Sequence, residues 1–362
     1  MITVNRAKLA RELAIVNALV SARGVIPVLS TVLLGFDGET LRLTTTNLDV
    51  TAVCELPAVG EPWGGCVPCE QLTRLVRLLE GEDVTLTPQG HRLVVKVQGA
   101  THRLPLVEQS AFPQIDMLTT DAATLPLPAL KAMIAATSFA ILEVRETTKA
   151  DELRYTGLSL KSRDGTLECM ATRKVVTAIA EMPCDAQVSA IVPREAVAVL
   201  GRLEGETVSM ASSESQVQFT AGPRTLLCRT LMGEFPDWRM FIPAYEHAAQ
   251  VDVAAFTAAI KRASVTMDVD NAVGFTPMKL TIGRDALSVE TRDGDHGESN
   301  ELVPITSNLN GSEVAIGFVG QQVLSVLRGE QVTCKFVDAS SPMLFEGEGV
   351  RYVVMPVRLR EW

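Results

Sequence analysis

LEGEDVTLT at Leu79–Thr87 comes back as LEGETVSMA at Leu203–Ala211 and again as LRGEQVTCK at Leu327–Lys335. The three glycines, Gly81, Gly205 and Gly329, stand 124 residues apart both times, an interval that chance does not keep twice. Working back from each glycine, Leu72, Leu75, Val76 and Leu79 fall at i, i+3, i+4 and i+7. Ala196, Val199, Leu200 and Leu203 do the same, and Val323, Leu324 and Leu327 hold the matching places in the third copy. That spacing lays one apolar stripe on a helix. Glycine just past the last apolar position supplies a C-terminal stop, and the Val-Thr-Leu alternation beyond it reads as a strand.

A second helix is predicted to open each third, over Lys8–Val20, Leu127–Ile141 and Val253–Thr266. Between the helices lie β-like runs such as Phe36–Thr46, Ser162–Thr172 and Ile282–Thr291, with hairpin dipeptides at Asp37-Gly38 and Asp164-Gly165. Each third is therefore an α+β unit of two helices and several antiparallel strands. Boundaries fall in the polar, proline-bearing stretches Thr119–Pro126 and Pro243–Gln250, which predicts domains over 1–120, 121–246 and 247–362. A chain of 362 residues exceeds one hydrophobic core, and each third is large enough to hold its own. Such units are able to build an arc, and two arcs to close a ring.

The composition, 47% hydrophobic and 21% charged, is that of a globular protein. No run reaches ~18 uninterrupted apolar residues and the N-terminus lacks signal architecture, so a cytoplasmic protein without membrane contact is expected. Seven cysteines, an odd number scattered through strand-like stretches, are expected to be reduced and buried.

Catalytic patterns are missing: the chain has no glycine-rich phosphate loop, no G-x-S-x-G elbow and no H-E-x-x-H. Cys66-Val67-Pro68-Cys69 is a CxxC, the mark of a redox pair or half a zinc site. No second CxxC accompanies it, and the four histidines are dispersed. Ile191-Val192-Pro193-Arg194 takes the matching place in the second copy, so a proline-led helix start is the better reading. Asp293–Glu298, with Asp268, Asp270 and Asn271, lacks the ligand spacing of a calcium loop and reads as solvated acidic loops. The chain reads as a non-enzyme that needs no cofactor or metal.

Charge is more informative. With 33 Lys and Arg against 43 Asp and Glu, the net charge of −10 argues against a nucleic-acid protein taken whole. Over the predicted helices 6–23, 69–79, 127–141, 193–203, 252–266 and 318–328, however, twelve basic residues face four acidic ones. The helices carry +8 and the remainder −18. A basic helical surface in an acidic protein suits a polyanion.

Val25-Ile26-Pro27-Val28-Leu29, Leu41-Arg42-Leu43-Thr44 with Thr46-Asn47-Leu48-Asp49, Gly233-Glu234-Phe235-Pro236-Asp237-Trp238, Ile316-Gly317-Phe318 and the terminal Tyr352–Leu359 occur in that order. In these the sequence resembles, over its whole length, the bacterial β sliding clamps (DNA polymerase III subunit beta). The resemblance implies a head-to-tail homodimeric ring of six pseudo-equivalent units, with helices lining a channel for double-stranded DNA. The DNA would be held by topology, independently of sequence, and a separate ATP-driven clamp loader would place the ring. It puts DNA contacts on Arg23, Lys149 and Arg154, supported by Arg6, Arg11, Arg74 and Arg77, with Glu70 at a position usually basic. It puts a pocket for short linear peptides of polymerase, loader and repair proteins at Tyr155, Thr172, Pro236, Met240, Phe241, Ser341, Met355, Pro356, Val357, Arg358 and Leu359.

Clamps commonly read Asp-Gly-His-Arg-Leu after that threonine; here the chain reads Arg173-Lys174-Val175-Val176-Thr177, bringing Lys174 and Val175 into the pocket. Met240 replaces a common basic residue, and Arg360-Glu361-Trp362 extends the end. With lysine where glycine is usual, a changed turn is expected, and Trp362 is expected on or near the pocket. The leading expectation is a sliding clamp with an altered peptide pocket. Its rivals are a clamp-fold interaction hub or decoy and an enzyme working through Cys66 and Cys69.

Overall fold

The computed structural model describes residues 1–20, 26–120, 122–267, 277–293, 296–347 and 349–359. Six α-helices occur among them: α1 (Arg6–Val16), α2 (Cys69–Leu78), α3 (Leu127–Thr137), α4 (Arg194–Leu200), α5 (Val253–Ala263) and α6 (Gly320–Val326). They fall where the repeat places them but end earlier. The helices opening each third each finish in one 3₁₀ turn, at Asn17–Leu19, Ser138–Ala140 and Ser264–Thr266. Tightening of the last turn satisfies end carbonyls that an α-helix leaves unpaired, and the apolar period runs on through it. At the other ends, Asn5 accepts from the Lys8 N–H and Asp252 from the Ala255 N–H, while Pro68 and Pro193 lead α2 and α4. Gly81, Gly205 and Gly329 all have positive φ (105°, 139° and 74°), so the repeated glycine marks a backbone turn that side chains resist.

Two compact units emerge from the packing: residues 1–132 with 186–232, and 133–185 with 233–362. In the first, strand Ile2–Asn5 lies between Asp83–Gln89 and Val50–Gly60, and the sheet ends at the edge strand Ala100–Pro105. Val50–Gly60 also pairs with Thr40–Thr46 and with Arg224–Arg229, which leads on to Gln216–Ala221, Thr207–Ser212 and Ala122–Pro126. In the second, Val176–Pro183 pairs with Thr166–Thr172 and with Val350–Val354, leading on through Met343–Gly347 and Gln331–Phe336 to His247–Asp252 and Gly297–Ser307. Thr51 stands opposite Leu227 in one unit and Thr177 opposite Val353 in the other. A strand of one third is thus completed by a strand from the next, 126 positions on in each case. The pairings named here are antiparallel, with α1 against strands Thr40–Thr46 and Val50–Gly60 and α5 against Gly297–Ser307.

The core alternates as strands require: Leu41 and Leu43 are fully buried while Arg42 points out to Glu55. All seven cysteines are buried and unbridged. Burial pushes the Cys69, Cys169, Cys228 and Cys334 thiols up to about 12 and raises Cys66, so the CxxC thiols are poor nucleophiles. Among the described residues, no helix is long and apolar enough to cross a membrane.

Candidate functional site

The linker after strand Arg224–Arg229 organises the site. Asp237 accepts from the Arg239 N–H and starts a 3₁₀ turn, Trp238–Met240, which drives Trp238 inward and leaves Met240 at the surface, 82% exposed. Trp238 packs with Met170, Ile179, Leu344 and Val353 on the sheet, and Phe235, Ile242 and Tyr245 close over it. Arg239 and Arg351 stack on its ring at 4.7 and 5.6 Å. Arg239 pairs with Glu168 and Asp237, and Arg351 with Glu181 at 2.6 Å. Arg163, 2.6 Å from Asp237, holds that carboxyl down at about 2. The ion pairs pin the linker to the outward-facing positions of the sheet.

Beside this knot opens a cleft of about 520 Å³ that brings together Tyr155, Pro236 and Met240 of the sequence-predicted pocket. Tyr155 meets Phe235 edge to face, centroids 5.5 Å apart. Thr172, Lys174 and Val175 form the adjoining turn, where the Val175 carbonyl accepts from Met355 at 2.9 Å. Val357 then bridges to Gly317, whose missing side chain makes room: a Cβ there would lie 2.3 Å from the Val357 oxygen. Phe241 (56% exposed), Val175 and Met355 are further exposed apolar side chains of this unit. Ser341 sits in a loop capped by Asp338, and Arg358 is exposed beyond Val357.

In the turn at 173–175, Lys174 has φ +75°, the left-handed conformation that glycine favours. Its N–H donates to Thr172 Oγ1 and its ammonium pairs with Glu152, whose pKa is lowered chiefly by that bond. Trp362 lies outside the described residues.

The DNA-contact candidates divide. Arg6 and Arg11 on α1, and Arg74 and Arg77 on α2, belong to helices that pack together in the first unit. Arg11, Arg74 and Arg77 are all exposed, Arg11 paired with Glu204 and Arg74 3.9 Å from Glu70, while Arg6 donates to the Gly81 carbonyl. Lys149 is exposed, but Arg154, in the same turn of chain, is folded over Tyr155 at 4.9 Å and bonded to its hydroxyl. It belongs to the cleft wall rather than to an open basic surface. Arg23 lies outside the described residues. Within the observed helix bounds nine basic residues face three acidic ones, so the helical charge is +6 rather than +8; the sign stands. Among the described residues no cluster of His, Cys, Asp and Glu is arranged to hold a metal.

Three family models cover the chain in order: the N-terminal domain of the DNA polymerase III beta subunit over residues 1–116, the central domain over 124–237 and the C-terminal domain over 239–358. The beta sliding clamp of Caulobacter vibrioides is 30% identical over 99% of this chain and all of its own length. This chain belongs to the beta sliding clamp family. The Escherichia coli beta sliding clamp is 26% identical over 99% of both chains. Among solved structures, the DNA polymerase III subunit beta of Pseudomonas aeruginosa superposes with a TM-score of 0.90 at 25% identity, over 99% of this chain and 100% of that one. The sliding clamp of Caulobacter crescentus gives 0.89 at 28% identity, over 99% of each. The fold is therefore that of three clamp domains.

Sequence reading missed Phe235, Trp238, Arg239 and Arg351, which shape the cleft from beneath. The signal was present in Phe235-Pro236-Asp237-Trp238, where aspartate opens a turn and the aromatics on either side must go in.

Proposed function

We propose that the chain is a DNA sliding clamp: a non-catalytic processivity factor whose head-to-tail homodimer encircles duplex DNA and tethers polymerase and loader through short linear peptides. The domains would span 1–120, 121–246 and 247–362, and the protein would work in the cytoplasm without a cofactor. The observation that carries the reading is the full-length match to sliding clamps, in a chain whose helices are basic while its total is acidic. Two open sheet edges support the dimer. Among the described residues, Ala100–Pro105 pairs on one side only and exposes Arg103, and residues 297–304 pair on one side only and expose Leu302. Open edges of this kind add a strand from another chain. DNA contact would be few-phosphate and salt-sensitive.

The test is loading onto nicked circular DNA. A dimer by light scattering at micromolar concentration, retained on the circle and lost when it is linearised, is expected. A monomer that no loader can retain on the circle refutes the reading. Charge reversal at Arg74, Arg77 and Lys149 shortens retention in a clamp and leaves an interaction hub or decoy unaffected. The hub reading draws on the apolar rim of Met240, Phe241, Val175 and Met355, and a titration with a generic clamp-binding peptide decides it: ordinary affinity removes the case for an altered pocket.

A further inference from the structure

The first unit holds a groove of about 1180 Å³ over strands Thr31–Phe36, Thr40–Thr46 and Val50–Gly60 and the adjoining Gln216–Ala221 and Arg224–Arg229. Its roof is the segment Phe112–Met117. That segment repeats the linker over the peptide cleft, since Phe112-Pro113 and Met117 stand 123 positions before Phe235-Pro236 and Met240. The floor repeats as well: Thr44, Thr220 and Thr225 lie 126 positions before Met170, Glu346 and Arg351. Both spaces are therefore the same joint, formed where a strand of one third completes the sheet of another.

They differ in what fills them. In the second unit Trp238, with Arg239 and Arg351 on its ring, splits the space into the 520 Å³ cleft and one of about 360 Å³ on its other side. In the first, Ile115 replaces the tryptophan and threonines replace the long side chains, so the groove stays undivided. Gly35 leaves its floor bare: a Cβ there would meet nothing within 4 Å. Trp63 lines the wall, with its indole N–H buried.

We propose that this groove is a second peptide site, taking an extended, neutral or basic segment of a partner protein. Its charged lining is Asp37, Arg42 and Glu55. Arg42 is spent on Glu55 through bonds of 2.8 and 2.6 Å, and Asp37 accepts from the N–H groups of Glu39 and Thr40, which hold it ionised. The net charge is −1 and no cation is free, so an acidic segment is repelled. The cleft of the second unit has the opposite balance, four basic residues against three acidic. Apolar side chains of the peptide would lie against Phe112 and Met117, beside the Trp63 indole in the wall. The kind of ligand rests on reading the cleft as a peptide site; the groove itself does not.

The probes are two fluorescein-labelled octapeptides, one alternating leucine with lysine and one alternating leucine with glutamate, titrated by anisotropy into the full chain. The lysine peptide should bind at least tenfold tighter to the wild type than to Gly35→Trp, which fills open space in a strand, and should move the Trp63 indole ¹⁵N–H resonance. Thr225→Arg, restoring the long cation of the second unit, should weaken it as well. Binding that survives both variants, or that Tyr155→Ala abolishes instead, assigns the peptide to the cleft and overturns the proposal, as does no binding at 1 mM or an unmoved Trp63 resonance. The glutamate peptide's response to Tyr155→Ala tests the cleft reading alone.

Discussion

Replacing Arg224 by alanine removes the one cation from a buried carboxylate. Arg224 is 5% exposed and Glu12, on α1, 8% exposed. The guanidinium makes two bonds of 2.8 Å to the two Glu12 oxygens and a third of 3.2 Å to Glu204, which in turn holds Arg11. The pair bolts α1 to strand Arg224–Arg229, and so joins the first third of the chain to the second within one unit. Paired burial of this kind contributes little net stability, because desolvation cancels most of the attraction. Breaking it is another matter: Glu12 would be left charged among Cys54 and apolar neighbours, at a cost of about 3–5 kcal/mol. Glu12→Leu combined with Arg224→Met, which deletes both charges and keeps the volume, should come within about 1 kcal/mol of the wild type. The assay is urea unfolding followed by the fluorescence of Trp63, the single tryptophan of the first unit. The comparison is between midpoints at unchanged slope. A loss under 1 kcal/mol in Arg224→Ala would refute the argument, and so would a double variant as damaged as the single one.

Lys174→Gly relieves a left-handed φ that costs a side chain about 1–2 kcal/mol, while Lys174→Ala keeps the strain and loses the half-exposed Glu152 pair; thermal melts should place glycine above alanine by about 1 kcal/mol or more. Asp237, lowered from the ordinary 3.8 to about 2 chiefly by Arg163, contributes stability that is whole above about pH 4 and lost as pH falls through 2. Arg163→Met should raise its midpoint in a ¹³C carboxyl titration, and an unmoved midpoint would deny Arg163 the role. Ellman's reagent at pH 8 should find none of the seven cysteines in the folded protein and all seven in denaturant; rapid labelling of Cys66 or Cys69 would reopen the redox reading.

Much of the backbone was legible because punctuation carries it. Gly81, Gly205 and Gly329 mark positive-φ turns that follow helices already ended at Leu78, Leu200 and Val326, Asp164-Gly165 turns a hairpin with both φ positive, and Asn5 and Asp252 cap helices in the way their side chains allow. These are local effects, visible one residue at a time. The 3₁₀ ends were not legible, since an apolar stripe is the same in both helix types over one turn. Nor was the partnership of strand Val50–Gly60 with Arg224–Arg229, which depends on residues more than 160 positions apart and has no local mark. Of the candidate site, Tyr155, Pro236 and Met240 proved to line one cleft. The resemblance put Arg154 among the DNA contacts, and only the packing shows its guanidinium folded over the Tyr155 ring.

The same division explains how three copies of one plan come to offer different surfaces. Glycine, proline and capping residues recur at matched intervals, so the strands and linkers recur. What lies between linker and sheet is decided by side-chain volume, which the punctuation leaves free to vary. At one joint Trp238 drives between two arginines and makes a narrow cleft with an apolar rim; at the other Ile115 over three threonines leaves an open trough of the opposite charge. If volume alone is responsible, Trp238→Ile should merge the two spaces of the second unit into one and weaken binding there without disturbing the sheet pairing of Thr177 with Val353. Amide exchange at that pairing, measured beside peptide affinity, separates the two effects. A variant that lost its strand protection along with its affinity would show that the tryptophan holds the joint together rather than merely shaping it.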